Sequence, residues 1–219
     1  MRKNQFGRIW CKIVLTGGPC AGKTTAQKLI VDRIKAEYAG KWRVFTVAEA
    51  ATFLYQGRIQ RSTMDDARIQ QWQEDILRTI IQLENVYEHI AETEEVFNTL
   101  IICDRGGLDP KIFTASDNHW NAILQKVGIT EDNILNRYDW VILLSSAPRE
   151  IYEQAGNNEC RRENHEEALR IDAKYGDLWK GHKQLLKVRN RKFTNDPQND
   201  WTIKFDDVFD IIQTILDVK

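Results

Sequence analysis

The sequence predicts an α/β fold, a five-stranded and mostly parallel sheet flanked by helices in a three-layer arrangement. Three observations predict it. Apolar runs at Trp10 to Thr16, Thr99 to Cys103 and Trp140 to Leu144 are nearly continuous, as strands covered on both faces must be. Between them lie longer stretches whose apolar residues recur three or four apart, the period of a helix. A glycine-rich turn, residues 17 to 25, joins the first run to the first helical stretch. Strands alternating with helices build a parallel sheet through right-handed crossovers. With no Pro/Gly/Ser-rich linker and no internal repeat, the 219 residues read as a single domain, 1–219, with a lid segment around 156–190.

In chain order, Trp10 to Thr16 is the first strand, and Ala26, Leu29, Ile30 and Ile34 mark the helix after the turn. Gly40 stops that helix, and Arg43 to Val47 alternates as a short second strand ending at Glu49 to Thr52. Ser62 or Thr63 is placed to cap a long helix, with Asp65 and Asp66 in its first turn. Ile69, Trp72, Ile76, Ile80, Leu83, Val86, Tyr87 and Ile90 form its expected buried side. The third strand, Thr99 to Cys103, runs into Asp104-Arg105-Gly106-Gly107-Leu108-Asp109. Helical material through Trp120, Leu124 and Val127 ends at Gly128, and Trp140 to Leu144 is the fourth strand. A polar segment from Gly156 to Arg162 precedes a helical stretch running toward Asn190, interrupted near Gly176 and Gly181. Trp201 to Phe205 is the expected fifth strand, and a helix through Val208, Ile211, Ile212 and Ile215 closes the chain.

Composition narrows the function classes. Hydrophobic residues at 42% and charged residues at 29% are ordinary for a globular protein. A formal charge of −1 supplies no general pull toward nucleic acid or an anionic membrane. No apolar run approaches the length of a membrane span, and the basic first residues lack a secretory apolar core, so a cytoplasmic address is the expectation. Cys11, Cys20, Cys103 and Cys160 share no metal-like spacing. Cys11 and Cys103 fall in strands and read as small buried residues, and Cys20 as a small residue fitting its loop.

The turn carries the chemistry. Gly17-Gly18-Pro19-Cys20-Ala21-Gly22-Lys23-Thr24-Thr25 satisfies G-x-x-x-x-G-K-[ST], a phosphate-binding loop, in the strand-to-helix context the motif requires. Glycines let backbone N–H groups turn inward without a Cβ in the way. The helix dipole then faces the same anion. In this reading Lys23 reaches the β- and γ-phosphates of ATP or GTP, Thr24 places its hydroxyl on Mg²⁺, and Thr25 serves the α-phosphate.

Other candidates collect at the carboxyl ends of the strands, where ligands bind in such sheets. Asp104, directly after the third strand, stands where a Walker B carboxylate holds Mg²⁺. Arg105 either contacts a phosphate or acceptor, or forms a structural salt bridge, for instance to Asp109. Glu49 is placed to take the proton of an attacking hydroxyl. Arg161 and Arg162 either close over the nucleotide and neutralise developing charge, or sit on a solvated face among Glu163, Glu166, Glu167 and Arg170. Gln73, on the long helix, either reaches an acceptor's polar edge or is simply exposed.

Together these residues resemble the NadR/TRPL-translocation-defect type of P-loop domain, described as AAA-like and similar in layout to nucleoside and nucleotide kinases. The resemblance rests on the 17–25 loop, Glu49-Ala50-Ala51-Thr52, Gln73 through Glu84, Asp104-Arg105-Gly106 with Asp109, and Glu166-Glu167-Ala168 followed by Asp172. Gly181-His182 and Asn190 add to it. It implies a nucleoside triphosphate, Mg²⁺ and a three-layer α/β fold. Its bacterial branch includes a ribosylnicotinamide kinase activity, and its animal branch looks like a GTP-binding trafficking factor. The layout is also similar to the deoxynucleoside kinases, although Glu49 lacks the proline that usually follows the acid in those enzymes.

The expected function is phosphoryl transfer from ATP or GTP to a hydroxyl of a small, nucleoside-like acceptor. The alternative is a nucleotide-dependent switch, or an NTPase without a small-molecule acceptor. Asp104-Arg105-Gly106-Gly107 fits a D-x-x-G switch pattern, but no N-K-x-D guanine-reading sequence occurs in the chain.

Overall fold

The computed structural model describes residues 1–59, 63–154, 164–192, 194 and 196–217. The chain runs β1 (Arg2–Lys3), β2 (Ile9–Thr16), α1 (Lys23–Glu37), β3 (Trp42–Val47), α2 (Ala50–Gln56), α3 (Asp66–Glu92) and β4 (Asn98–Asp104). A 3-10 turn (Asp109–Phe113) follows, then α4 (Asp117–Val127), α5 (Glu131–Leu135), β5 (Trp140–Leu144), α6 (Arg149–Gln154), α7 (His165–Leu178), β6 (Leu185–Val188) and α8 (Pro197–Leu216). Five strands lie parallel in the order β3-β4-β2-β5-β6, and the short β1 pairs antiparallel with the entry to β2. The sheet therefore has six strands among the described residues, one more than the sequence predicts.

Strand β2 shows why the fold needs two covering layers. Its side chains alternate between faces. Cys11, Ile13 and Leu15 join one core with Ile30 and Ile34 of α1 and Phe205, Val208 and Ile212 of α8. Trp10 and Val14 join the other, with Leu77 of α3, Trp120 and Ile123 of α4, and Trp179. Lys12 lies in the same strand and is fully buried. Its ammonium pairs with Glu84 at 2.8 Å and with Glu88, while Arg137 reaches Glu84 at 2.8 Å. A buried charge survives only when paired in this way.

That network corrects the expected face of α3. Val86 and Ile90 are exposed, and Glu84 is buried instead, together with Leu77 and Ala91. Apolar spacing alone did not reveal that Lys12 would draw a carboxylate inward. The cap differs too. Ser62 lies outside the described residues, and Asp65, expected inside the first turn, is the N-cap whose carboxylate accepts from Arg68 N at 2.8 Å.

The larger correction concerns the last strand. Trp201 to Phe205 is helical, part of α8, with Asp196 as its cap and Pro197 in its first turn. Trp201, Ile203 and Phe205 alternate and so mimic a strand. The buried set Phe205, Val208, Phe209, Ile212, Ile215 and Leu216 has helical spacing and decides the matter. The edge strand is Leu185–Val188, paired with β5 from Val141↔Leu185 to Leu144↔Val188. Its four residues are too few for periodicity to separate a strand from a helix.

Truncating the buried face of α8 tests this assignment. Ile212→Ala should cost about 2–5 kcal/mol by urea titration, and Ile203→Ala, at a half-buried position, clearly less. A strand reading, with Trp201, Ile203 and Phe205 facing the core together, predicts a comparable loss at Ile203.

Candidate active site

The loop after β2 is shaped by close approach. Gly17 has φ 136°, and a Cβ there would lie 2.1 Å from the carbonyl oxygen of Leu144. Gly22 has φ 84° and sits where a Cβ would meet the Phe205 ring at 2.9 Å. Only glycine fits either place. Cys20 also adopts a positive φ, 54°.

Lys23 opens α1 and folds back over its own loop, donating to the carbonyls of Gly17 at 3.1 Å and Gly18 at 3.0 Å. Burial, reinforced by the Arg105 charge, pushes its ammonium down to about 8, against the pull of Asp104, Glu49 and Asp109. Thr24 donates its hydroxyl to Asp104 Oδ2 at 2.7 Å. The other oxygen, Asp104 Oδ1, is buried and has no hydrogen-bond partner. Burial raises the Asp104 carboxyl above its ordinary range, with Lys23 opposing and Glu49 adding to the shift. A hard cation suits this pair, a hydroxyl and a carboxylate with one orphaned oxygen, with the remaining positions left to phosphate and water. Thr24 and Asp104 therefore fit Mg²⁺.

Arg105 ties the cleft together. Its backbone is left-handed, φ 71°, a conformation unusual outside glycine. Nε donates to Glu49 Oε1 at 2.6 Å. The guanidinium also donates to Gly17 O at 3.3 Å and to the Tyr175 hydroxyl, and stands 3.8 Å from Asp109. Burial opposes its charge, but Tyr175, Glu49 and Asp109 outweigh that and raise its pKa. Of the two sequence readings the salt bridge to Asp109 is present, yet the shorter bond goes to Glu49.

Glu49 follows β3 and accepts from Arg105 on one oxygen and from Thr52 Oγ1, at 2.7 Å, on the other. Burial alone would raise its pKa, but Arg105, Thr52 and Lys23 hold it below the ordinary value. It is an ionised carboxylate with lone pairs remaining for a hydroxyl.

Lys23, Thr24, Glu49, Asp104, Arg105 and Gln73 line one cleft of about 530 Å³, together with the loop residues Pro19 to Gly22 and Thr25. The lining also holds aromatic rings: Tyr55 stacks on Trp72 at 5.6 Å, and Phe113 belongs to the same lining. Gln73 is 5% exposed, which removes the reading of a surface glutamine. Gly17 and Gly18 are buried behind the loop. Arg161, Arg162 and Cys160 lie outside the described residues, as does part of the expected lid, whose residues 185–188 are strand β6.

Sequence reasoning underrated the groups that hold the site from behind. Asp109 is 1% exposed and accepts from Thr16 Oγ1 at 2.8 and 2.9 Å and from Trp179 Nε1 at 2.8 Å. Asp172 on α7 accepts from Gly18 N and Ser146 N, both at 3.1 Å. The i, i+4 spacing of Arg105 and Asp109 was a readable signal. Nothing in the sequence announces that Asp172 touches a loop 154 residues away.

The parallel order, the loop after β2 and the carboxylate that ends β4 define a P-loop nucleotide-binding domain with a kinase-like layout. The model of the AAA domain family matches residues 12–201, and the chain belongs to that family. Among solved structures, thymidylate kinase from Ehrlichia chaffeensis superposes with a TM-score of 0.59 over 93% of this chain and 99% of that one. At 13% identity this similarity concerns the fold. The comparison with curated proteins returned no match.

The Glu49–Arg105 pair should contribute to pH-dependent stability. A carboxyl held below its ordinary 4.5 stabilises the fold above that pH, and the contribution is lost as pH falls through the folded value. The unfolding free energy of wild type minus that of Glu49→Gln should be positive at neutral pH. It should shrink as urea titrations are moved from about pH 5 to about pH 3.

Proposed function

We propose that this protein is a Mg²⁺-dependent phosphotransferase that moves the γ-phosphoryl group of ATP or GTP to a hydroxyl of a small, nucleoside-like acceptor. The observation that carries the reading is the mixed lining of one cleft, which holds Lys23, Thr24 and Asp104 of the phosphate-binding set together with Tyr55, Trp72, Gln73 and Glu49. A small-molecule acceptor gives the aromatic lining a use beyond holding the triphosphate. Stacked rings beside a buried amide suit a flat heterocycle with a polar edge.

In this mechanism the loop amides and Lys23 hold the triphosphate, and Lys23 exchanges the carbonyls of Gly17 and Gly18 for phosphate oxygens. Thr24 and Asp104 would hold Mg²⁺, which would supply charge neutralisation to the phosphates. Gln73 and the aromatic rings orient the acceptor. Its hydroxyl oxygen bonds to the γ-phosphorus while the bond to the β-phosphate oxygen breaks, and Glu49 accepts the hydroxyl proton. In a loose transition state the attacking oxygen carries little charge, so a weakly basic carboxylate suffices. Arg105 fixes that carboxylate, and most of the acceleration comes from position and charge. Arg161 and Arg162 remain candidates to close over the nucleotide, and the single-domain reading, 1–219 with a lid, belongs to this proposal.

Incubation with labelled ATP or GTP and a nucleoside panel that includes nicotinamide riboside tests it. Acceptor-dependent product is expected, and hydrolysis without a phosphorylated acceptor would argue for the NTPase alternative. Glu49→Gln should lower turnover by about 10²–10⁴-fold while leaving triphosphate affinity within about threefold. Lys23→Ala should abolish triphosphate binding as measured by calorimetry.

A further inference from the structure

Lys204 is a buried lysine that phosphoryl transfer, as described, does not use. It lies on α8 and is 1% exposed. Its ammonium donates to the carbonyl of Ala21 at 3.0 Å and to that of Ser145, and it stands 4.3 Å from the centroid of the Trp201 ring. Among the described residues it makes no ion pair. Asp172 attracts it from a greater distance, Lys23 repels it, and burial dominates both, pushing its pKa down to about 7.

We propose that Lys204 is a positioning residue of the anion site, a cation behind the phosphate loop that sets the direction of the Gly22 amide and finds its counter-charge in the bound polyphosphate. This rests on the triphosphate reading of the same loop. The peptide joining Ala21 to Gly22 is planar and trans, so its carbonyl and its N–H point in opposite directions. Holding the carbonyl against Lys204 turns the N–H away from α8. The Phe205 ring, one residue along the same helix, lies where a Cβ on Gly22 would meet it at 2.9 Å. Through Ser145 the ammonium also joins the loop to the end of β5.

The charge itself needs a reason. A neutral donor would bridge two carbonyls without the cost of desolvating an ammonium. An unpaired cation in a low-dielectric interior becomes favourable when an anion arrives on the other side of one peptide. A structural bridge and an electrostatic partner therefore differ in how their loss depends on ligand charge.

The test is the affinity of wild type, Lys204→Gln and Lys204→Arg for a purine nucleoside triphosphate, diphosphate, monophosphate and nucleoside in Mg²⁺. Lys204→Gln should weaken the triphosphate about tenfold, the diphosphate less and the nucleoside less than about twofold. Lys204→Arg should stay within about threefold of wild type throughout. An equal loss along the series, or no loss, overturns the proposal and leaves the phosphotransferase reading intact. Wild type with no triphosphate affinity overturns both. Should Lys204→Gln not fold, Lys204→Met, which keeps the stem beneath Trp201, takes its place. Two unfolded neutral variants beside a folded Lys204→Arg overturn the proposal, because the charge would then serve the fold alone.

Discussion

Arg105 is the constraint on which the cleft depends. One guanidinium reaches Glu49 after β3, the carbonyl of Gly17 after β2, Asp109 in the 3-10 turn and Tyr175 on α7. Its backbone amide also donates to Leu15 O at 3.0 Å. Segments far apart in the chain are thus held in one geometry by a planar donor that does not deprotonate. Its left-handed backbone is the cost of aiming that donor backward over the sheet.

Behind this hub stands a second layer of buried polar groups, each satisfied by a partner from another element. Asp109 is held by Thr16 and Trp179. The Gly107 amide donates to Tyr138 at 2.7 Å, and the Tyr138 hydroxyl donates to Glu84, which also takes Lys12. The segment carrying Asp104 and Arg105 is thereby anchored to α3 and to the central strand. Such networks raise the stakes of each member, since a half-satisfied one is worse than none.

Much of this is legible in the sequence. The loop, the buried strands and the placement of Asp104 and Glu49 follow from local rules, because each depends on neighbours a few residues away. The face of α3, the identity of the edge strand and the burial of Gln73 do not. Val86 and Ile90 have the right spacing to be buried, and only the pairing of Lys12 with Glu84 and Glu88 explains why Glu84 turns inward instead. Trp201 to Phe205 alternates convincingly, and only the residues through Leu216 show that one helix claims them all. Lys204 carried no signal, because its partners are carbonyls and carbonyls are the same at every position.

The two positive-φ positions in the first half of the phosphate loop differ in what they permit. At Gly17 the carbonyl of Leu144 occupies the space any side chain would need, so the position admits no substitute. Cys20, with φ 54°, uses a region that asparagine and glycine also enter. A side chain is therefore accommodated at the motif's fourth residue and excluded at its first.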